Sequence, residues 1–389
     1  MPDAPRILCL NGGSSSVKVA LFALDAAETR LFVGAVEGTD GGARRLWLRG
    51  TDGGLLADGR IDVAGADGAV HALLDALAAH GAGVPAAVGH RVVHGGPEHA
   101  APERVDARLL AALRRLVPFA PLHLPVALAG IEAVAARLPG VPQVVCFDTA
   151  FHRGMPAVAQ RLPLPRALWD AGIRRYGFHG LSYEYVVQAV GAAALGRAVI
   201  AHLGNGASLA AVRDGRSVDT TMGFTPAGGC MMGTRPGDLD PGVLVHLLAQ
   251  RGYDAAALER LVERESGLRG VSGLTADMQT LLARRADEPG AREAVELFCY
   301  SVRKHVGALA AVLGGLDTLV FTGGIGEHAA PVREEICRGL EHLGIRLDAR
   351  RNAAHAAVVS AAESRCTVRV VPTDEDLMIA RHTRAALRQ

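Results

Sequence analysis

The sequence has few aromatic residues, almost no net charge and no paired cysteine motif. Aromatic residues make up 4% of the 389 positions and the formal net charge is +1, so the chain lacks the basic surface and the stacking rings that nucleic-acid binding requires. Its six cysteines include no Cys-x-x-Cys pair and no His/Cys cluster at zinc spacing, which is typical of reduced, buried thiols in a cytosolic protein. We therefore expect no nucleic-acid partner.

Long apolar runs are also missing. Glycine or charged residues interrupt every apolar run before it reaches about 18 residues, the length that a membrane helix needs, and the N-terminal segment MPDAPRILCLNGG carries no basic-then-apolar signal. We expect a cytoplasmic protein with no membrane partner. With 49% hydrophobic and 21% charged residues, the chain has ample material for buried cores, and its length predicts two domains.

The most glycine-rich stretch follows a strand in the middle of the chain. The strand-like run Ala198–Leu203 breaks at Gly204-Asn205-Gly206 and resumes at Ala207–Arg213, and five glycines lie between Gly223 and Gly237, with Arg235 among them. Glycine lets the backbone approach a ligand closely, and the planar fork of arginine suits phosphate or carboxylate. We interpret this stretch as an anion site; the alternative is a solvated loop.

A second polar turn lies near the N-terminus. The strand-like runs RILCL at residues 6–10 and Val17–Leu24 enclose the turn Asn11–Ser16, and Lys18 follows just beyond it. A P-loop is excluded because G-x-x-x-x-G-K-[ST] is missing and a strand follows where a P-loop needs a helix. The segment is either a polar hairpin tip or part of a phosphate site.

Two charged residues lie at predicted strand ends. Arg91 belongs to HRVVHGG at the end of the strand Ala86–Val93, and Asp148 directly follows the apolar strand Gln143–Phe147. Ligands of α/β sheets bind at the carboxyl ends of the strands, so both residues are candidates for a ligand crevice. The alternatives are a surface ion pair for Arg91 and a helix N-cap for Asp148.

Three further segments offer polar groups. His179 lies between an aromatic residue and a glycine, close to two arginines, and is either a structural histidine or a residue that faces phosphate. The strand Thr318–Phe321 ends in the glycine-rich turn TGGIGE, and a helix is predicted after it at Pro331–Leu343, which suits an anion or nucleoside site at a helix start. The acids of residues 374–376 open the terminal helix, where the helix dipole favours carboxylates whatever their function.

The two halves of the chain share a loose pattern. LCLNGGSSSVKVALF and IAHLGNGASLAAVRD each combine an apolar strand, a Gly/Asn turn, a serine and a second apolar strand. This predicts a duplicated α/β unit that clamps a ligand between its halves. Cleft arginines, carboxylates and glycine turns are the groups that phosphoryl transfer needs, because they neutralise the phosphate oxygens and bind Mg²⁺ in a dry cleft.

Eight segments resemble, in order and spacing, the signatures of acetate kinases: LNGGSSSVK, GHRVVHGG, FDTAFH, RYGFHG, HLGNGAS, TPAGGCMMGTRPGDLDPG, FTGGIGE and TDEDLMIA. The resemblance extends from Ile7 to Ala380, nearly the whole chain. It implies an α/β, duplicated two-domain actin-like (ribonuclease H-like) fold with the active site in the interdomain cleft. The implied N-terminal domain is residues 1–148 plus about 377–389, and the implied C-terminal, nucleotide-binding domain is residues 149–376.

The resemblance also implies reversible phosphoryl transfer between ATP and acetate, giving ADP and acetyl phosphate. Mg²⁺ is the implied metal ion, with Mn²⁺ as an alternative, and the implied assembly is a homodimer. The catalytic residues carried over by motif are Arg91, Asp148, His179 and Arg235. Acetate would be bound by Arg91 and by an apolar pocket of Val93, Leu122 and Pro226. The metal ligands would be Asn11 and Glu375, with Ser14 and Ser16 at the phosphate and metal end. The nucleotide would contact Lys18, His202, Leu203, Gly204, Asn205, Gly206, Asp277, Met278, Gln279, Gly323, Gly324, Ile325 and Gly326.

Three positions depart from the signatures of the family. Gly12 replaces the usual alanine or cysteine after Asn11, Gln279 replaces an arginine, and His328 replaces an asparagine. The last two lie at the nucleoside end and predict a weaker or altered base preference. The alternatives to an acetate kinase are a propionate kinase of the same family and a non-catalytic ATP-dependent switch protein, which would need no acyl-phosphate clamp of arginines and histidine.

Overall fold

A computed structural model of the chain describes residues 4–13, 16–38 and 44–388. The chain divides into two compact units, one formed by Met1–Ala150 with Asp374–Gln389 and the other by Phe151–Thr373. All six cysteines are buried free thiols. No helix in the described residues has both the length and the apolar character that crossing a membrane requires.

The first unit is built around a mixed sheet. Its strands are β1 (Arg6–Gly12), β2 (Ser16–Ala23), β3 (Thr29–Gly38), β4 (Arg44–Gly50), β5 (Leu55–Ile61), β6 (Ala87–Val92), β7 (Glu103–Arg104) and β8 (Gln143–Phe147), and its helices are α1 (Gly65–Ala79), α2 (Ala107–Arg115), α3 (Leu124–Arg137) and α16 (Glu375–Leu387). Among the described residues the sheet has the order β5-β4-β3-β2-β1-β6-β8-β7. β1, β6 and β8 are parallel neighbours, whereas β1 to β5 form an antiparallel meander.

Apolar side chains from alternate positions of this sheet pack under the helices. Leu8 and Leu10 of β1 and Val19 of β2 contact Val70 and Leu73 of α1 in one core cluster. These strands are apolar because the central part of the sheet is covered on both faces: α16 packs against β1, β6 and β8 as well. The helix α16 therefore brings its first residue, Glu375, to the strand ends.

The second unit holds a second mixed sheet and most of the helices. Its strands are β9 (Ala198–Leu203), β10 (Ala207–Arg213), β11 (Arg216–Thr220), β12 (Thr318–Thr322) and β13 (Thr367–Val370). Its helices are α4 (Ala157–Gln160), α5 (Arg166–Asp170), α6 (Gly180–Val190), α7 (Ala192–Leu195), α8 (Pro241–Gln250), α9 (Ala255–Arg260), α10 (Gly267–Ser272), α11 (Met278–Arg284), α12 (Pro289–Leu313), α13 (Gly323–His328), α14 (Ala330–Cys337) and α15 (Ala349–Ala353). A π-helical turn, Leu261–Glu265, joins α9 to α10, and 3₁₀ turns lie at Val117–Phe119, Ala150–His152 and Glu341–Leu343.

The two sheets repeat one topology. The strand order β3-β2-β1-β6-β8 of the first corresponds to β11-β10-β9-β12-β13 of the second. In both, two antiparallel pairings are followed by two parallel ones. The hairpin β9–β10 thus corresponds to β1–β2, the pair whose sequence similarity predicts a duplicated unit.

The region after β12 differs from the sequence-based expectation. TGGIGE is not a turn: residues Gly323–His328 form α13, and the Glu327 carboxylate accepts a hydrogen bond from the Gly323 N–H at 2.9 Å. The predicted helix Pro331–Leu343 is also wrong in extent. Helix α14 ends at Cys337 because Arg338 has extended backbone and Gly339 has a φ of +90°.

Candidate active site

The polar cluster of the first unit forms at the carboxyl ends of three neighbouring parallel strands. Leu10 of β1 pairs with His90 of β6, and Val92 of β6 pairs with Phe147 of β8. This register places Asn11, Arg91 and Asp148 side by side, although they are far apart in the sequence. Ligands of α/β proteins bind at the carboxyl ends of such strands.

Arg91 is the centre of this cluster. Its Nε and Nη2 donate to the two carboxylate oxygens of Asp148 at 2.5–3.0 Å, and its Nη1 donates to the Asn11 amide oxygen at 3.0 Å. The Asp148 side chain is 1% exposed and the Arg91 side chain 16%. Burial opposes the charge on Arg91, but the carboxylates of Asp148 and Glu375 outweigh it and raise the pKa of the guanidinium. Arg91 is thus a permanent, oriented cation.

The first turn of α16 adds carboxylates to the cluster. Asp374 caps the helix by accepting the Leu377 N–H at 3.0 Å. The Glu375 carboxylate lies 3.5 Å from the Asn11 amide nitrogen and 4.0 Å from Arg91 Nε. Burial and the neighbouring carboxylates of Asp374 and Glu375 raise the pKa of Asp376 to about 6.

The oxygen donors of this cluster fit Mg²⁺ better than a metal ion that is bound by protein ligands alone. No group of three or more His, Cys, Asp or Glu side chains in the described residues could hold a metal ion. Mg²⁺ is usually bound by one or two carboxylates together with substrate phosphates and water. Glu375 supplies hard carboxylate oxygens, and Asn11 supplies an amide oxygen that accepts from Arg91 Nη1 at 3.0 Å.

The other predicted residues that the structure describes in the first unit belong to β2, to the segment after β6 and to the segment before α3. Ser14 lies outside the described residues, Ser16 begins β2, and Lys18 is an exposed side chain paired opposite Asn11 in the β1–β2 register. Val93 directly follows β6 and is buried, and Leu122 is partly buried before α3. Pro226, the third residue predicted for the acyl pocket, is buried in the second unit.

The second unit carries a histidine, His179, whose ring orientation is fixed by its neighbours. His179 has a φ of +58° immediately before α6, a left-handed conformation that is uncommon for a non-glycine residue. Its Nδ1 lies 2.8 Å from the buried Ser208 hydroxyl, which lies 2.5 Å from the Tyr183 hydroxyl. The ring also stacks on His202 with centroids 4.2 Å apart. These contacts direct Nε2 away from Ser208.

Gly206 marks where the histidine and an arginine converge. A Cβ added to Gly206 would lie 3.2 Å from His179 Nε2 and 3.8 Å from Arg235 Nη1. A side chain at this position would therefore fill the space that both donors face. Arg235 is itself positioned by Glu263, which accepts from Nε at 2.9 Å, and by the Pro226 carbonyl, 3.3 Å from Nη1. Nitrogen donors beside a glycine backbone are the kind of groups that bind anions in proteins.

A cavity of about 740 Å³ opens beside Asn205 in the same unit. It is large enough for a nucleoside, since ligand pockets typically measure about 300–1,000 Å³. Seven of the residues predicted to contact the nucleotide line it: Gly204, Asn205, Asp277, Met278, Gln279, Gly324 and Ile325. The other lining residues are Thr275, Ala276, Leu282, His328, Ala329 and Pro331.

Several residues predicted to contact the nucleotide do not line this cavity or have a structural role in addition. His202, Leu203, Gly206, Gly323 and Gly326 do not line the cavity. Leu203 is fully buried in β9, so only its backbone could face a ligand. Asp277 does line the cavity, but its carboxylate also caps α11, accepting from the Thr280 N–H at 2.8 Å and the Thr280 hydroxyl at 2.6 Å. The hydroxyl and the N–H of Thr280 lower the pKa of Asp277.

Known proteins similar to this chain share its whole length. The model of the acetokinase family matches residues 6–381. The chain belongs to the acetokinase family. An acetate kinase of Methylocella silvestris is 46% identical over 98% of both chains, and one of Rhodopseudomonas palustris is 46% identical over 97% of both.

Solved structures of the acetokinase family have the same fold. The acetate kinase of Porphyromonas gingivalis superposes with a TM-score of 0.88 at 38% identity, covering 99% of this chain and 100% of that one. A propionate kinase of Francisella tularensis superposes with a TM-score of 0.91 at 34% identity, covering 98% and 99%. The predicted family and the predicted α/β, two-domain fold class are confirmed.

Sequence reasoning missed three polar residues that support the site. Ser208 and Tyr183 lie behind His179, and Glu263 lies behind Arg235. Ser208 is part of the HLGNGAS segment and could have been noticed there. Tyr183 and Glu263 carry no signal in the sequence, because each reaches its partner only through the fold.

Proposed function

We propose that this chain is an acetate kinase, which transfers the terminal phosphoryl group of ATP to acetate and gives acetyl phosphate and ADP. The observation that carries the proposal is the convergence of His179 Nε2 and Arg235 Nη1 at Gly206, next to the nucleoside-sized cavity that Asn205 lines. A cavity for a nucleoside and a cationic site at its edge are what a nucleotide and its transferring phosphate require.

The reaction needs no catalytic base. Acetate is ionised at neutral pH, so one of its carboxylate oxygens forms the new bond to the γ-phosphorus while the bond to the β-phosphate oxygen breaks and the electron pair leaves with ADP. The charge on the transferring group is spread over its equatorial oxygens. His179 and Arg235 donate hydrogen bonds to these oxygens, and Asn205 with the glycines around it holds the neighbouring phosphate.

The first unit supplies the groups for the carboxylate and the metal ion. Arg91, oriented by Asp148, pairs with the acetate carboxylate, and the apolar side chains of Val93 and Leu122 contact its methyl group. Glu375 and Asn11 would hold Mg²⁺, with Mn²⁺ as an alternative. When bound, the ion neutralises phosphate charge and helps to align the substrates.

Trapping of the acyl phosphate tests this function. The chain is incubated with ATP, Mg²⁺ and hydroxylamine in the presence of acetate, propionate or butyrate, and the hydroxamate is measured. We expect the highest kcat/KM with acetate. A preference for propionate would identify the sister activity of the family, since one methylene in an apolar pocket changes discrimination by only about 1–3 kcal/mol. ATP binding without any hydroxamate would contradict the proposal and favour a switch protein.

The proposal also includes a homodimer in the cytoplasm. Helix α8 is largely apolar, yet none of its residues is buried; Val243, Val245 and Leu248 are 45%, 64% and 47% exposed, and Leu239 just before it is 43% exposed. Exposed apolar surface of this kind marks an interaction site, and a second copy is the occupant that the family resemblance implies. Six buried free thiols and the use of ATP fit the cytoplasm.

Light scattering after gel filtration tests the dimer. The wild-type chain should have twice the monomer mass. The double variant Val245→Glu/Leu248→Glu should run as a monomer, because it places two charges on the apolar face. The variant Val84→Glu, at an apolar residue of the first unit that is 73% exposed, should keep the dimer. A monomeric wild-type chain would contradict this part of the proposal.

A further inference from the structure

Glu263 contacts Arg235, a residue of the proposed anion site, and no sequence motif marks it. Its carboxylate accepts from Arg235 Nε at 2.9 Å, and the side chains of the pair are only 14% and 16% exposed. The Nη1 atom of the same guanidinium lies on the side of Gly206, where an added Cβ would be 3.8 Å away. The carboxylate therefore fixes the plane of the guanidinium from the Nε side.

The backbone around Glu263 is built to hold the arginine loop. Thr234 Oγ1 donates to the Glu263 carbonyl at 2.8 Å, and the Ser266 N–H donates to the Thr234 carbonyl at 3.0 Å. Two further N–H groups, of Leu268 and Arg269, donate to carbonyls of Met232 and Gly233 at 2.9 Å. The Gly233 N–H in turn donates to the Asn205 carbonyl at 2.9 Å. The segment after Glu263 thus anchors the short loop that carries Arg235, and that loop is itself bonded to Asn205.

Two unusual backbone features make this close approach geometrically feasible. Glu263 lies at the centre of the π-helical turn Leu261–Glu265, and single π turns are found frequently at functional sites. Gly267 has a φ of +65°, and an added Cβ would lie 2.2 Å from the Met232 carbonyl oxygen and 2.8 Å from that of Arg235. Only glycine lets the two backbones meet here.

We propose that Glu263 is a positioning residue for phosphoryl transfer, which holds the Arg235 guanidinium in the orientation that faces the transferring group. The inference rests on the proposed function of Arg235. Because Glu263 acts through the arginine and not on the nucleoside, its loss lowers kcat and leaves the KM for ATP nearly unchanged. A displacement of about 1 Å of a catalytic group can reduce the rate about 100-fold.

Substitutions of Glu263 give the kinetic test. We expect kcat to fall about 100-fold in Glu263→Ala and about tenfold in Glu263→Gln, which keeps an acceptor for Nε but loses the charge. The KM for ATP should stay within about twofold. Glu265 offers the matched control because it lies in the same π turn but is exposed. Its side chain is 57% exposed, and its carboxylate comes no closer than 4.0 Å to Arg260 Nε. Glu265→Ala and Glu265→Gln should retain wild-type kcat.

A double-mutant cycle separates positioning from general stability. The Arg235→Lys variant has no guanidinium and therefore no Nε–H that Glu263 could orient. In this background Glu263→Gln should cause no further loss of kcat. Equal losses in the two backgrounds, or an unchanged kcat in Glu263→Ala, would overturn the inference.

A structural readout keeps the inference testable without turnover. In a crystal structure of Glu263→Ala, the Arg235 guanidinium should leave its place beside Gly206, whereas in Glu265→Ala it should keep it. A wild-type chain that forms no acyl phosphate would overturn the proposed function, and the crystal structures would still decide the position of Arg235. An unmoved guanidinium in Glu263→Ala would overturn the positioning role itself.

Discussion

Arg91 and Asp148 form a bidentate ion pair in which the aspartate side chain is only 1% exposed. Removal of one partner leaves a buried charge without compensation, which typically costs about 3–5 kcal/mol. We expect Asp148→Ala to lower the free energy of unfolding by about this amount, measured by urea denaturation at neutral pH, and to abolish hydroxamate formation because Arg91 loses its orientation.

The pair of Arg45 and Asp58 provides the matched control in the same unit. It is also bidentate: Arg45 Nε and Nη2 donate to the two Asp58 carboxylate oxygens at 2.6–2.7 Å. Its side chains, however, are 50% and 31% exposed. Exposed pairs contribute little to stability because water and salt screen them, so Asp58→Ala should leave both the urea midpoint and the activity close to their wild-type values. Equal destabilisation by both substitutions would contradict the importance of burial.

Ser208 should matter for rate and not for nucleotide affinity. Its hydroxyl holds His179 Nδ1 at 2.8 Å and thereby directs Nε2 toward Gly206. We expect Ser208→Ala to lower kcat about tenfold, or about 1.4 kcal/mol in the barrier, with the KM for ATP unchanged. Tyr183→Phe, which removes the hydroxyl beyond Ser208, should lower kcat by a smaller factor.

The control for this prediction is a second serine–histidine pair. Ser217 Oγ lies 2.8 Å from His152 Nδ1, and both residues are buried, but the pair carries no proposed catalytic role. Ser217→Ala should leave kcat within about twofold. A loss of kcat as large as that of Ser208→Ala would indicate that any buried serine–histidine bond affects the rate through stability.

The nucleoside cavity should discriminate weakly between bases. Gln279 and His328 both line it, and they are two of the three positions where the sequence departs from the signatures of the family. We expect the ratio of kcat/KM for ATP over GTP to be low in the wild-type chain and to rise in Gln279→Arg and His328→Asn. Kinetics with ATP, GTP and CTP measure the ratio.

Gln188→Arg controls for the added positive charge, because Gln188 is exposed on α6 and does not line the cavity. It should leave the ATP to GTP ratio unchanged. Strong adenine selectivity in the wild-type chain would show that the two departures do not affect base recognition.

Buried His152 should make the second unit sensitive to acid. Burial lowers the pKa of this imidazole to about 4, against a weaker opposing effect of the Phe178 carbonyl. The folded chain therefore binds fewer protons than the unfolded chain between about pH 6.5 and pH 4, and stability falls as the pH falls through this window. The loss amounts to about 3 kcal/mol for a shift of this size.

The variant His152→Gln tests whether His152 causes this acid sensitivity, through the change in the free energy of unfolding with pH. Urea unfolding at pH 7, 5.5 and 4 should show a smaller loss of stability on acidification in the variant than in the wild-type chain, even if the variant is less stable at pH 7. His90→Gln should behave alike in the first unit, because burial also lowers the pKa of His90 to about 4. Parallel pH profiles of variant and wild-type chains would refute the assignment.

Local sequence patterns determined much of this protein. The apolar runs on both sides of Asn11–Ser16 and Gly204–Gly206 form the hairpins β1–β2 and β9–β10, because alternation and turn residues act over a few positions. The strand-end positions of Arg91 and Asp148 followed from the same patterns. The resemblance to a family added the expected roles of these residues.

Only the tertiary structure decided which side chains meet. The register of β1, β6 and β8 places Asn11 and Asp148 on the two sides of Arg91, and a shift by one residue would turn the guanidinium to the opposite face. Glu263 lies in the π turn Leu261–Glu265, and its carboxylate meets Arg235 only in the folded chain. Propensity and periodicity describe neighbours along the chain, whereas buried hydrogen bonds form between residues that are distant in sequence and become adjacent only when the chain packs.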